Sequence, residues 1–100
     1  MGISISHGVP NTRSALTISN LGQHLAHALT GSEWREISYL FDGRFRAPET
    51  IPATEAARIG DLLHQAAKSR AMEAGWGDLA ILLGDAANRA APAGQEWVWD

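Results

Sequence analysis

Apolar and polar residues alternate at the start of the chain, where Ile3 and Ile5 are interleaved with Ser4 and Ser6. A period of two marks a short, half-buried strand. Gly8 and Pro10 break the pattern, and the period then lengthens. Ile18, Leu21, Leu25, Ala28 and Leu29 recur at helical spacing, and Gly22 lies on the same stripe, where a missing side chain lets a neighbouring helix approach closely. Asn11 or Thr12 stands where an N-cap is wanted, and Gly31 where a left-handed C-terminal residue would end the helix. Thr30 and Glu33 have the spacing of a capping box, with Ser32 as a second cap candidate. Trp34, Ile37, Leu40 and Phe41 then give residues 33–41 a short apolar face, which reads as helix. A hairpin competes with it. Ile37, Tyr39 and Phe41 also alternate, and Asp42-Gly43 is a strong two-residue turn.

Residues 44–50 read as an extended linker, because Pro48 and Pro52 exclude helix around them. From about residue 53 the helical period returns. Ala56, Ile59, Leu62, Leu63, Ala66 and Ala67 form its buried stripe, with Arg58, Asp61, Gln65 and Lys68 facing water. Gly75 and Gly77 bracket Trp76 at the next turn, after which Leu79, Leu83, Ala86, Ala87 and Ala90 outline another amphipathic helix, ended by Pro92 and Gly94. The closing run Glu96-Trp97-Val98-Trp99 is aromatic and β-branched, the composition of a strand. A lone strand at each end is unstable without a partner. The predicted fold is therefore α+β and mostly helical, a single domain over residues 1–100. Three to four amphipathic helices pack on a small two-stranded antiparallel sheet formed by the N- and C-terminal strands. If that sheet leaves an edge open, a symmetric homodimer is its natural by-product.

Composition narrows the functions compatible with this fold. The apolar fraction of 45% and charged fraction of 19% belong to a globular chain, not a disordered one. A net charge of −3 argues against nucleic acid as the partner, since phosphate-binding surfaces depend on a basic stripe. With no cysteine there are no disulfides, thiolate ligands or cysteine nucleophiles, which fits a reducing, cytoplasmic setting. The start of the chain lacks the basic and apolar regions of a secretory leader, and no run reaches the ~18 apolar residues of a membrane span.

The residue types that carry chemistry are dispersed along the chain. His24 and His27, three apart on a helix, could grip a metal only if His64 or His7 converged on them. Both face away from the Leu21/Leu25 stripe, so surface histidines are the favoured reading. No serine lies in a G-x-S-x-G elbow or an S-x-x-K motif, and Ser4, Ser6 and His7 read as strand and turn residues. Asp78 and Asp85, a heptad apart, read as a solvated helix face. No catalytic residue, metal or cofactor is therefore assigned. Arg44-Phe45-Arg46 interleaves a ring with two cations, as in some single-strand binders, but a loop anchoring Phe45 in the core is the favoured reading. The helices meeting at Gly31 form a poor helix-turn-helix, because Glu33 and Glu36 stand where a recognition helix presents donors.

Trp97 and Trp99 point the same way on a strand, so they are either packed against the helices or displayed to a partner. The stretch from Ile51 to Ile59, with its Ala/Leu helix and aromatic end, resembles small uncharacterised proteins of Streptomyces and related actinobacteria, some of them in phage or mobile-element neighbourhoods. That resemblance implies an accessory or regulatory role and transfers no site residues. The expected function is a non-enzymatic protein–protein interaction module of regulatory, immunity-like or phage-accessory kind. Its candidate partner-binding residues are Trp97, Trp99, Arg44 and Arg46, and its partner is another protein. A histidine-dependent hydrolase or metal enzyme and a DNA-binding regulator are the alternatives.

Overall fold

The computed structural model describes residues 2–100. The extended opening of the chain is β1 (Gly2–Ile3), paired antiparallel with β2 (Arg13–Ser14) so that Ile3 faces Arg13. Between them His7 and Gly8 turn the chain through positive φ angles of 66° and 98°. Helix α1 (Ala15–Ala28) follows directly. Its cap is Ser14, whose hydroxyl accepts from the Thr17 N–H, and not Asn11 or Thr12, because the backbone stays extended until β2 is complete. Ile18, Leu21, Gly22 and Leu25 are its buried residues, on the expected stripe.

Gly31 does not end α1 in a left-handed turn. It opens α2 (Gly31–Phe41), one residue after a complete capping box at Thr30. The Thr30 N–H donates to Glu33 Oε1 at 2.9 Å and the Glu33 N–H to Thr30 Oγ1 at 3.2 Å. Residues 33–41 are thus helix and not hairpin. Close approach of α1 and α2 depends on Gly22, where a Cβ would collide with the Phe41 carbonyl oxygen. The region read as linker contains a further strand, β3 (Glu49–Ile51), which sequence reasoning missed because Thr50 and Ile51 are flanked by prolines. Helices α3 (Ala53–Ala67) and α4 (Ala74–Ala90) then pack against each other, with Gly60 and Gly84 letting the backbones nearly touch. No helix of the described residues is long and apolar enough to cross a membrane.

The last strand, β4 (Trp97–Trp99), is the keystone. On one side it pairs antiparallel with β3, Thr50 opposite Val98. On the other it meets the N-terminal run, with Ile5 opposite Trp99. The Asp100 N–H donates to the Ser4 carbonyl at 2.7 Å and the Ser6 N–H to the Val98 carbonyl at 2.9 Å. The two ends of the chain thus form the small antiparallel sheet expected of them, and β3 widens it. Alternation then dictates that Trp97 and Trp99 share one face. Both are fully buried against the helices, in one core with Phe41, Ile51, Leu21, Leu25, Leu62 and Leu63.

Candidate functional site

Two polar clusters have the residue types of catalysis. At the first, His7 Nε2 lies 2.8 Å from Gln95 Oε1, so that nitrogen carries the proton and Nδ1 accepts the Ser6 hydroxyl at 2.8 Å. The Ser6 oxygen also accepts the Val98 N–H at 2.9 Å, and Arg89 Nε donates to the His7 carbonyl at 2.8 Å. The chain of contacts has the order of a serine–histidine relay, but Ser6 is the residue adjacent to His7 and its oxygen is already engaged by the Val98 N–H. Its effect is to tie the 6–8 turn to β4 and to the end of α4. At the second cluster His64 Nε2 lies 2.8 Å from Asp85 Oδ1, while Asn88 Nδ2 donates to Nδ1 at 3.2 Å. Both ring nitrogens are occupied, which leaves no free base. His64 therefore latches α3 to α4.

The paired histidines of α1 diverge. His24 stacks on Trp76 of α4, ring centroids 5.1 Å apart, whereas His27 is exposed. Among the described residues no three His, Asp or Glu side chains converge as metal ligands would. The strongest charge pairing is also structural. Arg58 holds Glu36 through two 2.9 Å hydrogen bonds between α3 and α2. This contact lowers the Glu36 pKa, and the Thr30 N–H together with Gln65 lowers that of Glu33.

The four residues expected to bind a partner lie in one place, but they divide into two layers. Trp97 and Trp99 are 0% exposed, so neither offers surface to a partner in this state; displayed tryptophans are replaced by core ones. The reason is that β4 is paired on both edges and its indole face is capped by Phe41 and Phe45, each 5.5 Å from Trp99 in edge-to-face packing. Phe45 links the layers. Its ring rests on Trp99 while its neighbours Arg44 and Arg46 stand exposed. The Arg44 N–H donates to Asp42 Oδ1 at 2.9 Å, and Arg46 Nη1 to the Phe45 carbonyl at 2.9 Å, which folds the loop back on itself.

Beside this loop runs a furrow along α1. A cavity of about 530 Å³ is lined by Gly2, Ile3, Ala15, Phe45, Arg46, Ala47 and Asp100. It shares Ile3, Ala15 and Phe45 with a small recess that reaches Ile18, Ser19, Leu40 and Gly43. Ser19 in turn belongs to a further hollow of about 210 Å³ with Gly22, Gln23, Ala26, Trp34, Phe41 and Asp42. Leu16, next to Ala15, is 70% exposed, the largest exposure among the big apolar side chains of the described residues. Sequence reasoning missed Ile3, Ala15 and Leu16. A signal was present for Leu16, an apolar residue out of phase with the Ile18/Leu21/Leu25 stripe.

Residues 6–100 match a family described as Domain of unknown function (DUF7739), in keeping with the resemblance to uncharacterised small proteins. No curated protein and no solved structure matches the chain.

Proposed function

The chain belongs to the DUF7739 family, and we propose that it is a non-enzymatic protein-interaction module that binds another protein through the furrow along α1. The observation that carries this reading is the layered construction of the furrow. Its apolar wall, Ile3, Ala15 and Phe45, is braced from below by the buried Trp99, and the next residue of α1 after Ala15 is the exposed Leu16. A rigid aromatic base beside exposed apolar surface is the anatomy of a binding hot spot. The histidine clusters, in contrast, direct their polar groups at one another. A regulatory, immunity-like or mobile-element accessory role in the cytoplasm agrees with a small, acidic, cysteine-free chain.

A photoreactive phenylalanine analogue at Leu16 tests this in the native host, with Ile81 of α4, 45% exposed, as the control position. A discrete protein adduct from position 16 and none from position 81 is the expected result. Equal labelling from both positions would remove the furrow from the argument.

Homodimerisation is a separate proposal, resting on the outer edge of β3, which has no strand partner among the described residues. That edge is three residues long and is flanked by Pro48 and Pro52, features that blunt edge-to-edge pairing. The furrow is therefore the better candidate surface.

A further inference from the structure

We propose that the furrow takes an apolar segment of the partner bearing a single carboxylate. One large apolar side chain enters the wide part of the recess, the cavity of about 530 Å³ over Ile3, Ala15 and Phe45, and a neighbouring Asp or Glu pairs with Arg44 or Arg46. This rests on the furrow being the binding surface and adds the chemistry of its occupant. Three observations carry it. The first is shape, since the recess is concave and its base is apolar. The second is available charge. The ion pairs among the described residues are Arg58–Glu36 and His64–Asp85, so neither the Arg44 nor the Arg46 guanidinium pairs with a carboxylate there; Asp42 meets Arg44 through the backbone N–H alone. The hydrogen bond from Arg46 Nη1 to the Phe45 carbonyl holds that guanidinium at the cavity lining, with its remaining N–H groups free for a forked pair with a carboxylate. The third is a limit on that charge. Asp100 shares the lining, and the chain as a whole is acidic, so a run of acidic residues or a phosphate backbone is repelled where one carboxylate is accepted.

Selection of a displayed library of random peptides on the wild-type chain and on an R44E/R46E variant tests the proposal. Both arginines are exposed, so the variant should fold, and a circular-dichroism melt checks this. Wild type is expected to enrich peptides with one Asp or Glu close to a large apolar residue, and the variant to enrich Lys or Arg in that place. The best wild-type peptide should lose about ten-fold or more in affinity on R44E/R46E. Binders without an acid, or binding unmoved by the charge reversal, would overturn the proposal while leaving the furrow as the binding surface. Binding that persists when Ala15→Trp fills the recess would overturn both. An oligothymidylate that binds in an Arg44- and Arg46-dependent way would assign the cations to phosphates, and a dimer dissociated by Ala15→Trp would assign the furrow to a second copy of the chain; either result overturns the proposal.

Discussion

Tyr39, the chain's only tyrosine, is half-buried on α2, and its hydroxyl is enclosed without a hydrogen-bond partner. Burial, assisted by the negative charges of Glu55 and Glu49, pushes its pKa from 10.0 up to about 12. The folded state therefore keeps a proton that the unfolded chain releases. Stability from this group is complete below pH 10.0 and is lost as pH rises towards about 12, because the unfolded state binds fewer protons in that window. The phenolate absorbance of the native protein should titrate near the upper value. Tyr39→Phe should remove the alkaline loss and be neutral or slightly stabilising at pH 7, since it deletes an unsatisfied buried group. A normal tyrosine titration in the folded protein would refute this. Trp99 carries a similar orphan, its indole N–H, whereas Trp97 donates to the Ser6 carbonyl at 3.2 Å. Alternation placed both tryptophans on one face, but sequence alone left open whether that face was covered. The covering residue, Phe45, comes from a loop more than fifty positions away, and no local pattern reports such a contact.

At the scale of elements, helix packing sets the sign of two glycine substitutions. Alanine is a better helix former than glycine by about 0.8–1 kcal/mol. At Gly22 that gain is outweighed, because the new methyl meets the Phe41 backbone carbonyl, which cannot swing aside. Gly22→Ala should lower stability by about 1–3 kcal/mol, the usual cost of overpacking. Gly31, in the first turn of α2, has open space around it, and Gly31→Ala should raise stability by about 0.4–1 kcal/mol. Denaturant melts of the two variants check the pair, and a stabilised Gly22→Ala would contradict the packing described for α1 and α2. The four helices were legible because each carries a sustained apolar stripe; the capping box at Thr30 was recognised, but α2 was read from residue 33 and begins at Gly31. The two short strands, β2 and β3, were not legible. Two or three residues set no period, and their extended state is imposed by their partners, β1 across a short turn and β4 nearly fifty positions away. The furrow was only half legible: the Arg44-Phe45-Arg46 spacing drew attention to the loop, while the α1 side, built from Ala15 and Leu16, looked like ordinary helix surface.

Across the whole molecule the order of assembly follows from β4. Its two tryptophans complete the core, and both its edges are occupied, so residues 96–100 are required for folding and are not a trailing decoration. Their deletion should abolish the cooperative thermal transition. In the intact protein the amides of Ser6, Asp100 and Ile51 should exchange slowly, together with those of the helix cores, because the termini are zipped to each other. Fast exchange at Ser6 and Asp100 would mean that the ends open independently of the helices. The same closure has a practical consequence for anyone handling the protein. Gly2 and Asp100 both line the cavity of about 530 Å³, so an affinity tag or fluorescent fusion attached beside either residue stands next to the surface it is meant to report on. A fusion placed there competes with a partner for space, and a pull-down made with one should recover less partner than a protein labelled elsewhere. A reporter inserted in the exposed turn at residues 92–95, or a dye on an engineered cysteine at Lys68, keeps the furrow clear in a chain that has no thiol of its own.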